Sequence, residues 1–259
     1  MNEPVIYRRD GHVARITINR PQVMNALDTT CHIALRKAFE EFRDDDDLWI
    51  AVLTGAGDRA FCAGQDLREV SRKLSGESVA SSELVWGGIT RDFDCDKPIL
   101  AAVNGVALGG GTEVALAADL VIAADHARFG LPEPRRGIIA GAGGAFRLSQ
   151  QVPLKQAMGL LLTGRVIDAA EAYSLGLVTQ VVPGDQLETT VDRWIDDVLA
   201  CSPLSIRMTK RLALAAARSA ESDTIVLQGE MIRAVRESRD AREGVQAFHE
   251  KRTPEWSNR

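Results

Sequence analysis

The feature that most constrains the fold is a unit that occurs twice: a short apolar run, two glycine-bearing turns and then a helical segment. The two runs are residues 49–54 (WIAVLT), with turns at 54–55 and 63–64, and residues 99–103 (ILAAV), with turns at 104–105 and 109–111. Short apolar runs bounded by glycine are typical of buried strands, and their alternation with helices is typical of α/β proteins. The repetition therefore predicts an α/β protein built from a recurring supersecondary unit.

Other hydrophobic periodicities extend this organisation along the chain. Strands are predicted at 12–18 and 120–123, a helix after the N-cap residue Asp28, and further helical segments at 66–75 and 82–93. From about residue 185 strand-like runs cease, and helices are predicted at 187–200, 205–217, 224–235 and 240–248. We therefore expect an α/β core over residues 1–200 and a helical region over residues 201–259, divided near Ser202-Pro203.

Composition excludes several classes of partner. The 259 residues carry a formal net charge of −5, so a surface that neutralises nucleic-acid phosphates is not expected. No apolar run reaches the roughly 20 residues of a membrane span, and the N-terminus lacks the pattern of a secretory signal. Cysteines and histidines are scattered without metal-ligand spacing. We expect a cytoplasmic protein with no metal and with neither nucleic acid nor membrane as a partner.

The glycine triplet at 109–111 runs directly into an apolar helix former, in GGGTEVALAADL. Glycine weakens helices, so its use here needs a reason. A helix N-terminus presents free N–H groups and partial positive charge, and glycines let an anionic oxygen approach the backbone. The alternative is that the glycines only let two chain segments pack closely, and for the triplet alone that alternative is favoured.

Neighbouring motifs support the first interpretation. A second glycine turn, FCAGQDL at 61–67, also follows a strand, and a second carboxylate, Glu133, stands in LPE before the glycine-rich segment 137–144. Together with Glu113, these are the parts needed for acid–base chemistry beside a developing oxyanion. The GxGxxA match at 55–60 does not indicate dinucleotide binding, because Gly64 intervenes before any helix can begin.

Taken in order, these motifs resemble the crotonase, or enoyl-CoA hydratase/isomerase, family. The likeness extends over essentially the whole chain. It includes ITINRP at 16–21, NAL at 25–27, FCAGQDL at 61–67, KPILAAVNG at 97–105, GGGTE at 109–113, FGLPE at 129–133, GAGG at 141–144, LTG at 162–164 and AFHEKR at 247–252.

The resemblance implies a spiral of ββα units with a C-terminal helical region that forms trimers, often paired into hexamers. It implies an acyl-CoA thioester substrate, with coenzyme A as part of the substrate and no separate cofactor. The thioester carbonyl would lie between the backbone N–H groups of Ala63 and Gly110. Glu113 would activate the attacking water, and Glu133 would supply the proton to the α-carbon.

The resemblance also implies a larger set of residues that bind the acyl-CoA. These are Ala26, Ala60, Ala63, Gly64, Gln65, Asp66, Leu67, Trp86, Gly109, Gly110, Pro132, Gly141, Phe248 and Lys251. The acyl pocket is expected to be shaped by residues 67–94. Phe248 and Lys251 would reach the adenine and a phosphate of CoA from a neighbouring subunit, although capping of a surface helix is an equal alternative for both.

The implied activity is hydration of a trans-2-enoyl-CoA to a 3-hydroxyacyl-CoA. Two alternatives stay open: a crotonobetainyl/carnitinyl-CoA hydratase-type lyase or an enoyl-CoA isomerase, and a non-catalytic member that only binds acyl-CoA. The segment 98–133 and the tail look closest to the branch that contains carnitinyl-CoA dehydratase, which leaves the acyl group undetermined. The presence of both glutamates favours hydration or its reverse.

Overall fold

A computed structural model describes residues 3–75, 86–217 and 221–258 of the chain. Within these residues the strands are β1 Val5–Asp10, β2 Val13–Ile18, β3 Ile50–Gly55, β4 Ala60–Cys62, β5 Ile99–Val103, β6 Val106–Leu108, β7 Leu120–Ala124, β8 Arg128–Gly130, β9 Val166–Asp168 and β10 Gln180–Val182. The helices are α1 Thr29–Asp44, α2 Leu67–Leu74, α3 Gly110–Ala117, α4 Gly144–Gln151, α5 Leu154–Thr163, α6 Ala169–Ser174, α7 Leu187–Leu199, α8 Pro203–Ala216, α9 Glu221–Glu237 and α10 Arg239–Glu250.

The strands form two sheets. The larger has the order β1-β2-β3-β5-β7-β10 and is parallel except for the antiparallel pair β1 and β2. The smaller has the order β4-β6-β8-β9, in which β4, β6 and β8 are parallel and β9 is antiparallel to β8. The successive units β3-β4-α2 and β5-β6-α3 each place their first strand in the larger sheet and their second in the smaller. The predicted repeat of ββα units is thus confirmed.

The larger sheet is covered on both faces. Successive side chains of its parallel strands point to opposite faces, and the side chains on both faces are apolar. In β3, Ala51 and Leu53 join the core formed with α1 and α3. Ile50 and Val52 point to the other face, where they pack in the cluster that includes Ile195 of α7. The apolar run predicted at 49–54 is therefore a fully buried strand.

The smaller sheet determines where the glycine turns meet. Cys62 at the end of β4 pairs with Ala107 of β6, and Leu108 at the end of β6 pairs with Gly130 of β8. Because the three strands are parallel, the segments that follow them leave the same edge of the sheet. Polar loops at the carboxyl ends of parallel strands are where α/β proteins place their ligands.

One helix prediction is wrong within the described residues. The helix expected over 82–93 includes residues 82–85, which lie outside the described part, and residues 86–92 form turns. Gly87 and Gly88 have φ of +60° and +79°, and Asp92 has φ of +45°. A right-handed helix cannot include these left-handed conformations, so the apolar spacing in this segment reflects packing against α1 and α3.

The C-terminal helices follow the predicted pattern, with α7 to α10 each within a few residues of the expected bounds. Large apolar side chains on α8–α10 are exposed in the single chain: Leu214, Ile225, Val226, Ile232, Val245 and Phe248. None of the helices within the described ranges is long and apolar enough to cross a membrane. The division of the chain at residue 200 and the trimer stay predictions.

Candidate active site

A cleft of about 760 Å³ opens at the carboxyl-terminal edge of the smaller sheet. It contains both predicted carboxylates, Glu113 and Glu133, and most of the predicted binding residues: Ala26, Ala63, Gly64, Gln65, Asp66, Leu67, Trp86, Gly109, Gly110, Pro132 and Gly141. Segments separated by more than a hundred residues in sequence are therefore brought into one cavity. A concave pocket that includes titratable groups is the expected form of a ligand site.

Glu113 lies in the first turn of α3 and is almost fully buried, with 2% of its surface exposed. Its Oε1 accepts hydrogen bonds from the backbone N–H of Ala142, at 2.8 Å, and of Gly144, at 2.7 Å. The intervening Gly143 has φ of +101°, which turns both N–H groups toward one oxygen. The glycine-rich segment at 141–144 thus acts as a cradle for a carboxylate.

An arginine holds this cradle in place. Arg147, in the first turn of α4, donates to the carbonyl of Ala142 at 3.1 Å and to the carbonyl of Thr90 at 2.9 Å. Arg91 donates to the carbonyl of the adjacent Gly141 at 2.5 Å. The donors to Glu113 are therefore fixed by two cationic side chains, Arg147 from α4 and Arg91 from a separate segment, and Arg147 adds a positive charge near the carboxylate.

Glu133 begins the 3₁₀ turn Glu133–Arg136, directly after the segment that leaves β8. The side chain is buried at 9% exposure, and its Oε2 has no hydrogen-bond partner among the described residues. Its Oε1 faces the α-carbon of Gly109, where a side chain would crowd it. A buried carboxylate oxygen without a partner is costly and is typical of a functional group rather than a structural one.

Burial raises the pKa of both carboxyl groups. For Glu113 the charge of Glu133 raises the pKa further, while the N–H groups of Gly144 and Ala142 and the charge of Arg147 oppose the shift. For Glu133, its own backbone N–H and the charge of Arg136 oppose it. Glu113 has more groups that favour ionisation, so the pair is suited to hold one ionised and one protonated carboxyl, as acid–base catalysis requires.

Gly110 is the first residue of α3, so its N–H belongs to the turn that has no intrahelical acceptor. A side chain is excluded here: a Cβ on Gly110 would fall on the indole of Trp86, with Cζ2 only 2.6 Å away. A Cβ on Gly111 would collide with the carbonyl group of Cys62. The triplet therefore serves both interpretations, because it packs two chain segments closely and also opens a helix N-terminus to the cleft.

The second predicted oxyanion donor, Ala63, has a hydrogen-bond acceptor within the chain. The N–H of Ala63, expected to face the thioester oxygen together with that of Gly110, donates to the carbonyl of Met24 at 3.0 Å. Ala63 lines the cleft, yet its N–H is not a free donor in this state. The turn at 63–64 packs against the segment 24–27, because the N–H of Leu27 also donates to the carbonyl of Gly64.

Three predicted binding residues do not line the cleft. Ala60 is buried in β4, where its carbonyl accepts a hydrogen bond from the buried side chain of Asn25. Phe248 and Lys251 lie at the end of α10; Phe248 is 81% exposed, and Lys251 is the left-handed residue that ends the helix. Their expected contact with CoA bound to a neighbouring subunit stays a prediction.

Several cleft residues were missed from sequence: Val23, Arg68, Arg91, Leu108, Arg136, Ile138, Ile139 and Ala142. Arg136 and Ala142 stand beside predicted motifs, so proximity to LPE and GAGG could have indicated them. Arg91 comes from a segment that was predicted to be helical. Only its placement in a turn brings its guanidinium to the Gly141 carbonyl.

A second cavity, of about 950 Å³, lies between α8 and the larger sheet and is lined mostly by apolar residues such as Leu120, Trp194 and Leu214. Although it is larger, neither glutamate lines it. Titratable groups with shifted pKa values indicate a reactive site more specifically than volume does, so the cleft at Glu113 is the candidate site.

In the described part of the chain, His, Cys, Asp and Glu side chains form no group of three or more suited to a metal ion.

Fold and site together define an α/β protein with a buried pair of carboxylates beside a helix N-terminus, an arrangement suited to acid–base chemistry. The chain belongs to the enoyl-CoA hydratase/isomerase family, whose model matches residues 8–259. The crotonase fold implied by the sequence motifs is thereby confirmed.

Named relatives include hydratases and dehydratases. A carnitinyl-CoA dehydratase from Citrobacter koseri is 38% identical over 265 residues, which cover 100% of both chains. Of solved structures, an enoyl-CoA hydratase from Mycobacterium tuberculosis H37Rv matches with a TM-score of 0.92 at 36% identity, again over 100% of both chains. A carnitinyl-CoA hydratase from Mycobacterium avium matches with a TM-score of 0.78 at 42% identity over 100% of both chains.

Proposed function

We propose that the protein is a hydro-lyase that adds water across the double bond of a trans-2-enoyl-CoA to give a 3-hydroxyacyl-CoA. The observation that carries this proposal is the buried pair Glu113 and Glu133, facing one cleft beside the N-terminus of α3. A family member that shuttled a proton with one carboxylate, or only bound acyl-CoA, would have no need to bury two.

In the proposed reaction, ionised Glu113 accepts a proton from a water molecule as that water attacks the β-carbon. The electrons of the double bond move toward the thioester, and its oxygen becomes negative. The N–H of Gly110, at the positive end of α3, stabilises this oxygen, and such donors contribute most when the charge develops. Protonated Glu133 then delivers its proton to the α-carbon, and the two carboxyl groups exchange roles for the reverse reaction.

The second donor to the enolate oxygen is proposed to be Ala63, as the family resemblance implies. Since its N–H donates to Met24 in this state, binding would require exchange of that carbonyl for the thioester oxygen. The other cleft residues would hold the acyl-CoA, and coenzyme A would enter as part of the substrate.

Initial rates on a panel of enoyl thioesters test this proposal. Crotonyl-CoA, longer straight-chain and branched enoyl-CoAs, and crotonobetainyl-CoA should be compared at equal concentration by loss of the conjugated enoyl absorbance. Hydration of at least one of them is expected. Binding of acyl-CoA without turnover on every member of the panel would instead indicate a non-catalytic member.

The carnitinyl reaction is a second candidate because the named relatives include carnitinyl-CoA dehydratases over their full length. It uses the same two carboxylates and differs in the acyl group alone. A higher kcat/KM on crotonobetainyl-CoA than on crotonyl-CoA would select it.

We also propose that the chain assembles as a trimer or a hexamer through its exposed apolar faces. Ile225, Val226 and Phe248 are more than half exposed on the C-terminal helices, as are Ile139, which lines the cleft, and Leu162 of α5. Apolar patches of this kind usually mark an interface. Light scattering is expected to give a multiple of three chains.

If Lys251 reaches a CoA phosphate across that interface, Lys251→Ala should raise KM for acyl-CoA more than it lowers kcat, because the contact is remote from the reacting atoms. Arg242→Ala, which removes another cation of α10, serves as the matched control and should leave KM unchanged. A stable and fully active monomer would contradict the interface, and an unchanged KM in Lys251→Ala would remove the lysine from the CoA site.

A further inference from the structure

A buried histidine outside the proposed chemistry joins two walls of the cleft. His32 lies on α1 with none of its surface exposed. Its Nδ1 accepts the backbone N–H of Gly87 at 3.0 Å, and its Nε2 lies 2.9 Å from Oε1 of Gln65. The N–H of Gly87 requires an unprotonated Nδ1, so the ring is neutral, with its proton on Nε2 donated to Gln65. Both ring nitrogens are thus used to fix the turn at 63–67 and the turn at 86–88.

The same histidine contacts the aromatic residue that limits the cleft. The ring centroids of His32 and Trp86 are 4.7 Å apart at a tilt of 42°. Trp86 in turn covers the α-carbon of Gly110, at the proposed oxyanion donor. A Cβ on Gly87 would meet Val114 at 2.6 Å, and one on Gly88 would meet Phe39 at 2.9 Å. The segment after Trp86 therefore has no space to shift toward α1 or α3.

A further set of hydrogen bonds supports His32 from behind. Nε2 of Gln65 lies 3.5 Å from Oε1 of Glu69, which orients the Gln65 amide with its oxygen toward the histidine. The buried carboxylate of Glu69 accepts from the backbone N–H and from the hydroxyl of Thr29, each at 2.8 Å. Thr29 precedes His32 by one turn of α1, so the two lie on the same face of that helix. The chain of contacts begins and ends on α1.

We infer that His32 is a positioning residue that holds the indole of Trp86 over Gly110 and thereby closes the acyl pocket to long straight chains. This inference rests on the proposed function, because it takes the cleft at Glu113 as the acyl site. His32 does not touch the reacting atoms and acts through Trp86. The indole fills the space beside Gly110, and the inference takes this as the space into which a longer acyl chain would extend. The substrate class that His32 selects is then the short-chain acyl-CoA.

The test is the ratio of dissociation constants for two saturated thioesters, butyryl-CoA and octanoyl-CoA, measured by calorimetry on the full-length protein. His32→Leu keeps a similar volume and loses both hydrogen bonds. His32→Asn keeps an oxygen that can accept from Gly87. We expect His32→Leu to shift the ratio in favour of octanoyl-CoA by about tenfold, which is the usual effect of a changed apolar pocket on discrimination between substrates. The ratio for His32→Asn should lie nearer to that of the wild type. Trp86→Ala should shift the ratio as far as His32→Leu, and the double variant no further.

If the role of His32 were merely structural, His32→Leu would weaken the binding of both thioesters equally, and its effect would add to that of Trp86→Ala. An unchanged ratio in His32→Leu beside a shifted ratio in Trp86→Ala would overturn the role of the histidine. An unchanged ratio in both His32→Leu and Trp86→Ala would show that Trp86 does not limit the length of the acyl chain. If His32→Leu does not fold, His32→Met, which also loses both hydrogen bonds, is held to the same outcomes.

The two saturated thioesters cannot be hydrated, so this ratio is independent of turnover. Failure of the proposed function would appear as no hydration of any enoyl thioester by the wild type. Failure of the present inference would appear as an unchanged ratio in a protein that binds both thioesters, and an absence of binding in the wild type would overturn both.

Discussion

Glu113→Gln and Glu133→Gln are each expected to reduce kcat/KM on the best enoyl-CoA by about 10²–10⁴, the usual contribution of a positioned acid or base. Glutamine keeps the volume and one carbonyl oxygen of glutamate, so at position 113 it can still accept from Ala142 and Gly144. It can neither take the proton of water nor give one to carbon. Initial-rate kinetics at saturating and limiting substrate measure the loss. Near-full activity in both variants would exclude the two-carboxylate mechanism.

Thermal unfolding supplies the control for these variants and has a definite pH dependence. Burial raises the pKa of Glu133 above its ordinary 4.5, so the native state binds the proton more tightly than the unfolded state does. Stability therefore falls as pH rises from the unfolded pKa through the folded one, where the native protein must hold a buried negative charge. Glu133→Gln removes that cost. Its Tm should exceed that of the wild type at pH 8, and the difference should vanish as pH falls below 4.5.

Glu113→Gln should gain less stability at pH 8. The ionised form of Glu113 is compensated by two backbone N–H donors and by the charge of Arg147, whereas Oε2 of Glu133 has no partner among the described residues. Loss of activity together with retained or increased stability would locate the role of both glutamates in the chemistry. A lower Tm in both variants at every pH would show that they mainly hold the fold.

The parts of the fold that the sequence predicts are those determined by local patterns. Apolar runs such as Ile99–Val103, and helices with a clear apolar stripe such as α1 and α7, are defined by a pattern within one element. The structure places them within a few residues of the expected bounds. Strands of three residues, such as β6 and β9, are too short to show a period of two. They are defined by the neighbours with which they pair, and these are distant in sequence.

The same distinction applies to the site. Glu113 and Gly110 could be assigned because a glycine triplet before a helix has a local physical reason. Arg147 and His32 could not, because their roles depend on contacts with residues 57 and 55 positions away, Thr90 and Gly87. The hydrogen bond from the N–H of Ala63 to the carbonyl of Met24 could not be predicted either, because the two residues lie in different loops. A motif identifies the atoms that can react, whereas tertiary contacts decide which of them are available.

Gly110 offers the sharpest test of the proposed oxyanion site. A Cβ at this position would fall on the indole of Trp86, so Gly110→Ala and Gly110→Pro in the wild-type background both displace Trp86 and cannot isolate the N–H. In a Trp86→Ala background that space is open. There Gly110→Ala keeps the N–H, while Gly110→Pro removes it at a first helical position that tolerates proline.

We expect the proline double variant to be slower than the alanine double variant by about 10²–10³ in kcat, the cost of one oxyanion donor. Circular dichroism must first show that both double variants retain the native helix content. Because both carry a Cβ and both lack the indole, they differ in the N–H and in the rigidity of the proline ring. Equal rates in the two folded proteins would mean that the positive end of α3 does not act through the Gly110 N–H, and the enolate oxygen would then have to be stabilised from the turn at 63–64.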